Sequence, residues 1–275
     1  TSLGVVTSAN QPDLLGPEGF VEYRRAYEIG KNSDEYLAKY PEMFNDPRKL
    51  QSVNQKDWYN YDKKDPVETF TEEDLLRTWL ARLDFKSPEI DNYMNNRVTD
   101  WAKKVFHTGL QQDYQTSISN RTDDASYYWS LGYSDREGII VGNRFTTFRT
   151  RLNLESNITS FLKVGLNSGF SQRNEGFLQC DWEQMVRISP YGADEIGNTS
   201  VDKYLWRYPT MDVTPVNPFF DNMYRDRKDL YNTLNANLYA ILSLPFDIEY
   251  QFNYTPYLEW REYYNHDSSK NFVWA

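Results

Sequence analysis

The chain of 275 residues carries a formal net charge of −10, is 16 % aromatic with 22 Tyr and 8 Trp, and contains one cysteine. That acidic balance argues against nucleic acid or an anionic membrane surface as a partner, because both are recognised through an excess of Lys and Arg. Cys180 has no second thiol to pair with, and no run of about eighteen apolar residues exists to cross a membrane as a helix.

In chain order, residues 3–7 form a short apolar run that reads as the end of a strand. Residues 10–107 read as a long helical excursion. Pro17 suits a first helical position, Phe20, Arg24 and Tyr27 recur on one side, and Gly30 closes the element. Ser33 is placed to cap a second helix that Pro41 stops. Residues 46–66 are polar and punctuated and read as a loop holding Trp58, Tyr59 and Tyr61. Thr71-Glu-Glu-Asp74 has the form of a capping box, and Leu75, Leu76, Trp79, Leu80 and Leu83 follow at helical spacing. Ser87-Pro88 and Thr99-Asp100 start two further helices. Each is brief and buries little by itself, so the stretch is expected to lean on other parts of the protein and not to form a separate domain.

From residue 110 the period drops from 3.6 to two. Segments 110–120, 125–134, 145–155 and 161–172 alternate, joined by short polar turns and one longer loop at 135–144. Ala125, Tyr127, Trp129, Leu131 and Tyr133 share one face, and Ser126, Tyr128, Ser130, Gly132 and Ser134 the other. Leu162, Val164, Leu166 and Phe170 oppose Lys163, Gly165, Asn167 and Ser171 in the same way. A second excursion fills 173–228. Residues 230–243 then alternate again, and Ile248, Tyr250, Phe252 and Tyr254 oppose Glu249, Gln251 and Asn253 on the strand back. Connections this short leave no room for crossovers, so neighbours in sequence should pair as antiparallel hairpins. The polar face is built from Ser, Gly, Asn and Thr with a few Arg, and the strands run to about ten residues, which fits a barrel strand crossing a bilayer. A soluble barrel or sandwich fits the alternation as well, because sequence does not say which face points inward.

The ordered residues carry a resemblance. Thr99-Asp-Trp-Ala-Lys-Lys-Val-Phe-His-Thr-Gly109, Ser117-Ile-Ser-Asn120, Tyr128-Trp-Ser-Leu-Gly-Tyr-Ser-Asp135 with Glu137-Gly-Ile-Ile140, and Phe161-Leu-Lys-Val-Gly-Leu-Asn167 resemble the early barrel of SusC/RagA-type TonB-linked outer-membrane proteins. The similarity is close over residues 99–172 and looser over 230–253. One departure is the turn after the first strand, where the family has Gly-Gly and this chain has Asn120-Arg-Thr-Asp-Asp124. The resemblance implies an all-β fold, an antiparallel meander of a transmembrane β-barrel, partial and open, with a long helical extracellular loop near the N-terminus. Its expected divisions are 1–9 as the end of a first barrel strand, 10–107 as that loop, and 108–275 as barrel strands with a large loop at 173–228. Family members are several times longer and place a plug and a TonB box before the barrel, so a fragment is implied. It further implies import of oligosaccharides or peptides across the cell outer membrane, with a SusD-like lipoprotein and the TonB complex as partners. The lipid-facing residues would be the aliphatic and aromatic set. Arg149, Arg151, Asn153, Lys163, Asn167, Asn235, Asn237, Glu249 and Gln251 would face the lumen.

Catalytic signatures are missing from the sequence. There is no nucleophile elbow, phosphate loop or dinucleotide fingerprint, and His107 and His266 stand far apart, so neither an enzyme nor a metal or cofactor is expected. The best candidates for ligand contact are the flat rings of the second excursion, Trp182, Tyr191, Tyr204, Trp206 and Tyr208. Aromatic faces stack on the C–H faces of sugars, and Asp181, Asn217 or Arg207 could bond hydroxyls. A soluble secreted carbohydrate-binding module is the alternative that these rings leave open.

Overall fold

The alternation closes into ladders in the computed structural model, which describes residues 1–7, 11–193, 195–196, 204–205, 208–210 and 215–269. The chain divides into two units. One gathers Thr1–Asn10, Phe106–Cys180 and Asp221–Ala275, the other Gln11–Val105 and Asp181–Phe220.

The first unit is a sheet. Strands β1 (Ser2–Val6), β2 (Gly109–Arg121), β3 (Ala125–Glu137), β4 (Arg144–Thr159) and β5 (Leu162–Asn174) follow one another in space as in sequence. Two-residue strands β6 (Glu195–Ile196) and β7 (Tyr204–Leu205) pair apart from this sheet, within the second unit. Then β8 (Arg225–Leu244) lies beside β5, and β9 (Ile248–Tyr254) and β10 (Tyr257–Asp267) share its far edge. Every pairing is antiparallel. Leu238 opposes Tyr254 and Asn235 opposes Tyr257, so β9 and β10 keep a single register and amount to one strand interrupted at Thr255-Pro256. The Ala236 N–H still donates to the Pro256 carbonyl at 3.1 Å, but proline returns no N–H.

The turns show how the sequence closes the hairpins. Where the family has Gly-Gly, the Thr122 hydroxyl accepts from the Ala125 N–H at 3.1 Å, and the Thr122 N–H donates to the Ala125 carbonyl at 2.8 Å. A side chain thus stands in for a backbone acceptor, and no positive φ is needed. At the β8–β9 turn Phe246 (φ 69°) and Asp247 (φ 56°) both take left-handed backbone, which matches the strand twist at the cost of strain in a bulky residue. In the β3–β4 loop, Gly142 sits at φ 80° so close to the Leu178 carbonyl that a Cβ would lie 1.8 Å from its oxygen. Only glycine fits there.

The second unit holds the helices: α1 (Pro17–Lys31), α2 (Asp34–Lys39), α3 (Gln55–Tyr59), α4 (Glu72–Arg82), α5 (Ser87–Met94), α6 (Trp101–Val105) and α7 (Trp182–Met185). A short helix α8 (Phe220–Tyr224) leads into β8. The capping box forms as written: the Thr71 hydroxyl accepts from the Asp74 N–H at 3.1 Å, and the Asp74 carboxylate accepts from the Thr71 N–H at 2.9 Å. Leu75, Leu76, Trp79, Leu80 and Leu83 pack with Met43, Phe44, Trp58, Tyr59, Phe85 and Tyr191 in one core. Each buried indole has its N–H satisfied by a carbonyl: Trp58 to Glu42 at 2.8 Å, Trp79 to Phe44 at 3.0 Å and Trp101 to Ser189 at 3.0 Å.

One sequence expectation is corrected here. Residues 46–66 are not a plain loop: Asn54 accepts from the Asp57 N–H at 2.8 Å and caps α3, which drives Trp58 and Tyr59 into the core. The helices share a core to which Tyr191 of the second excursion contributes. The second excursion returns to them, with Asn92 donating to the Tyr191 carbonyl at 2.8 Å and the Thr99 N–H to the Pro190 carbonyl at 2.8 Å. Sequence separation of nearly a hundred residues hid that partnership.

Candidate functional site

The register sorts the sheet into two faces, since directly opposed residues share a side. Tyr127 opposes Leu154, which opposes Leu166, then Leu238, then Tyr254. Trp129, Leu152 and Ile118 occupy the next rung. This face is apolar and open: Trp129 is 44 % exposed and Tyr254 57 %. Toward the 135–144 end one rung carries Tyr114, Tyr133, Phe148, Gln172, Asn232 and Trp260, with Gln172 donating to Asn232 at 2.8 Å. One rung further the same face is largely polar, with Gln112, Asp135, Thr146, Asn174 and Glu262 alongside Leu3 and Leu230. Ion pairs Arg144–Asp135 and Lys228–Glu262 lie at that level.

The other face carries all nine residues expected to face a lumen. Asn153, Asn167 and Asn237 share a rung, and Asn237 donates to the Thr255 hydroxyl at 3.0 Å. Arg151 opposes Gly169 and Asn235 follows, while Arg149 reaches Asp113 at 3.3 Å. Lys163 lies 3.6 Å from Glu155, which also accepts from the Tyr239 hydroxyl at 2.8 Å. Gln251 and Glu249 extend the row on β9. Sequence reading missed Arg136, Arg173, Tyr231 and Tyr257 on this face. They sit in strand ends where both faces become polar and alternation fades.

Among the described residues, the candidate groups of the second excursion stand in different settings. Tyr191 is 6 % exposed and packs against Tyr93 and Phe85 with ring centres 5.3 and 5.9 Å away. Burial, reinforced by nearby Tyr93 and Glu18, pushes its hydroxyl up to about 12, so it stays protonated within the core. Asp181 caps α7, accepting from the Glu183 N–H at 3.2 Å, and Trp182 beside it is 37 % exposed. Asn217 is buried and its side chain accepts from the Phe219 N–H at 3.0 Å. Tyr204 lies in β7 and Tyr208 is half-buried. Trp206 and Arg207 fall outside the described residues. No helix among the described residues is long and apolar enough to span a membrane, which says nothing of strands.

No family model matches the sequence. Over 78 residues, 28 % of this chain and 8 % of the relative, it is 31 % identical to TonB-dependent receptor P3 of Formosa agariphila. Over 177 residues, 58 % of this chain and 17 % of the relative, it is 25 % identical to TonB-dependent receptor SusC of Bacteroides thetaiotaomicron. Among solved structures, the RagAB peptide transporter is similar over 92 % of this chain and 27 % of that chain, at 19 % identity and a TM-score of 0.50, which shows a shared fold. Sheet and solved structure agree on the fold, an open antiparallel meander consistent with part of a β-barrel. The chain is similar to TonB-dependent receptors of the SusC/RagA kind and spans 8 % and 17 % of the length of the two curated relatives it matches.

Proposed function

We propose that this stretch is wall and loop of a TonB-dependent importer in the outer membrane, with its apolar face on lipid and its polar face on the lumen. In this reading the importer takes up oligosaccharides or peptides, with a SusD-like surface lipoprotein at its outer mouth. The observation that carries the reading is the segregation across the whole register. One face leaves Tyr127, Leu154, Leu238, Tyr250 and Phe252 open, while the other is mostly Ser, Asn, Gly, Thr and Arg, with Tyr128, Tyr231 and Tyr239 among them. A soluble protein does not leave an apolar area of this extent uncovered, whereas lipid covers it at no cost. The aromatic rung that includes Tyr133 and Trp260, followed by charged residues, has the composition of an interfacial girdle.

Cysteine scanning of the full-length receptor in a Cys180→Ser background tests the orientation. Asn167→Cys and Asn237→Cys should react with a membrane-impermeant thiol reagent, and Leu166→Cys and Leu238→Cys should react only with a lipid-soluble one. The reverse pattern would refute the assignment of faces.

A further inference from the structure

Two hollows on the polar face run into one another. The first, of about 370 Å³, is lined by Gln115, Ser130, Arg149, Arg151 and Gly169 among others. The second, of about 470 Å³, includes Arg136, Phe145, Arg173, Tyr231 and Tyr257. Arg149, Ser171 and Thr233 line both. In the first hollow two arginines have a strand neighbour without a side chain: Gly132 faces Arg149, and Gly169, over which the Asn235 side chain reaches, faces Arg151. Guanidinium groups therefore stand over a floor of Gly, Ser and Thr. Arg149 and Arg151 are two residues apart on one strand, about 7 Å, and Arg173 is one strand and two residues from Arg149, about 8 Å.

The charge is local. Across β2–β5 the polar face carries Arg121, Arg136, Arg149, Arg151, Lys163 and Arg173 against Asp113 and Glu155; on β8–β10 it adds Glu249, the Arg261–Asp229 pair and Glu259, which lines the second hollow and accepts from the Tyr257 hydroxyl at 3.0 Å. Arg149 is paired loosely with Asp113 at 3.3 Å, and Arg173 with Glu175 at 2.6 Å. Among the described residues, Arg136 and Arg151 make no ion pair. Rings adjoin the cations: the Arg173 guanidinium lies 5.5 Å from the centre of Tyr231, and Tyr257 lines the same hollow.

We propose that this face binds an anionic oligosaccharide, a sugar chain carrying carboxylate groups, as its passing cargo. The inference rests on the reading that the polar face lines the lumen. Arg151 and Arg136 are free to take the carboxylates, and a planar guanidinium meets a carboxylate through two parallel hydrogen bonds. Ser130, Ser171, Thr233 and Asn235 supply donors and acceptors for hydroxyls, and Tyr257 supplies a ring face, while Tyr231 is already covered by Arg173 and Arg261 at 5.5 and 4.7 Å. A peptide is the poorer match. Peptides are commonly held on sheets by adding to an edge, and the backbone groups here are already used by the ladders on both sides.

The test is calorimetric titration of the purified full-length receptor with an oligogalacturonate, a neutral oligosaccharide of equal length and an acidic peptide. The oligogalacturonate should bind in preference to the other two, and more weakly as salt rises. Arg151→Gln should lower its affinity about tenfold and leave the neutral sugar unchanged; Arg149→Gln with Arg173→Gln should do the same. Unchanged uronate affinity in both variants, or preference for the peptide, overturns the proposal. A thiol probe separates the two levels of the argument. Failure of Ser130→Cys to react with an impermeant reagent in intact cells overturns the lumen reading and the proposal with it. Reaction that oligogalacturonate does not block overturns the proposal alone.

Discussion

Arg82 shows how one side chain ties together the core of the helical unit. Its side chain is almost fully buried, its guanidinium lies 4.1 Å from the centre of the Trp58 ring, and it donates to the Trp58 carbonyl at 3.0 Å and to Asp62 at 2.7 Å. Burial pushes the Asp62 carboxyl upward, but the hydrogen bond and charge of Arg82 outweigh it, and the net pKa falls below the ordinary 3.8. A carboxylate depressed in this way adds stability above its ordinary value and loses it as pH falls through the folded value. Protease cleavage within the helical unit should therefore accelerate below about pH 4, and Asp62→Asn should flatten that dependence. Because Asp62 is itself half exposed, Asp62→Ala should cost about 1–2 kcal/mol and not the larger figure of a fully buried pair, measured as a shift in urea midpoint. None of this could be read from the sequence. Arg82 and Asp62 are twenty residues apart, and α3, which ends just before Asp62, reads as loop in the sequence. Tyr191 is the converse case: a ring that looked available for sugar is taken up by the core, because its partners Phe85 and Tyr93 lie a hundred residues upstream.

Among the elements, the β5–β8 pair depends on a close approach that period-two reading flags only as a glycine. The Tyr239 ring lies across Gly165, where an added Cβ would sit 2.1 Å from the ring carbon Cζ, and its hydroxyl continues to Glu155. The aromatic side chain covers the backbone that glycine leaves bare. Gly165→Val should therefore block assembly of the folded barrel, seen as loss of the heat-modifiable band on a gel, and Tyr239→Ala should restore part of it. Independent, additive losses in the double variant would contradict this coupling. Strand existence and facing were legible because each segment alternates over enough residues to exceed chance. The ends were not. β3 runs on to Glu137 and β5 to Asn174, where polar residues occupy both faces and the period disappears, and β4 runs on to Thr159 with Ile158 as its one apolar residue past Leu154.

For the molecule as a whole, the two faces make opposite demands on a charge. Leu166→Arg places a guanidinium on the apolar side and should cost about 2–4 kcal/mol of barrel stability. Asn167→Arg, one residue on, should cost less than 1 kcal/mol if its side lines water. Urea unfolding in lipid vesicles, with the two variants side by side, gives the comparison; equal losses would mean that the faces are not distinguished by solvent. The meander and its polar residues were legible because register follows from pattern. The gathering of the two excursions into one unit was not, since no local signal links residue 92 to residue 191.

Pro256 gives the sheet edge a joint. β8 offers twenty residues of edge, yet its partner is split into ladders of seven and eleven, and the rung between them at Pro256 keeps one hydrogen bond where an ordinary residue would make two. Because the missing N–H faces β8, the outer edge at that point forfeits no donor. A continuous ladder of that length would open as one cooperative block; here each half can detach and reclose while the other holds. The edge can therefore be sampled in two instalments, and an error of register in one half need not commit the other.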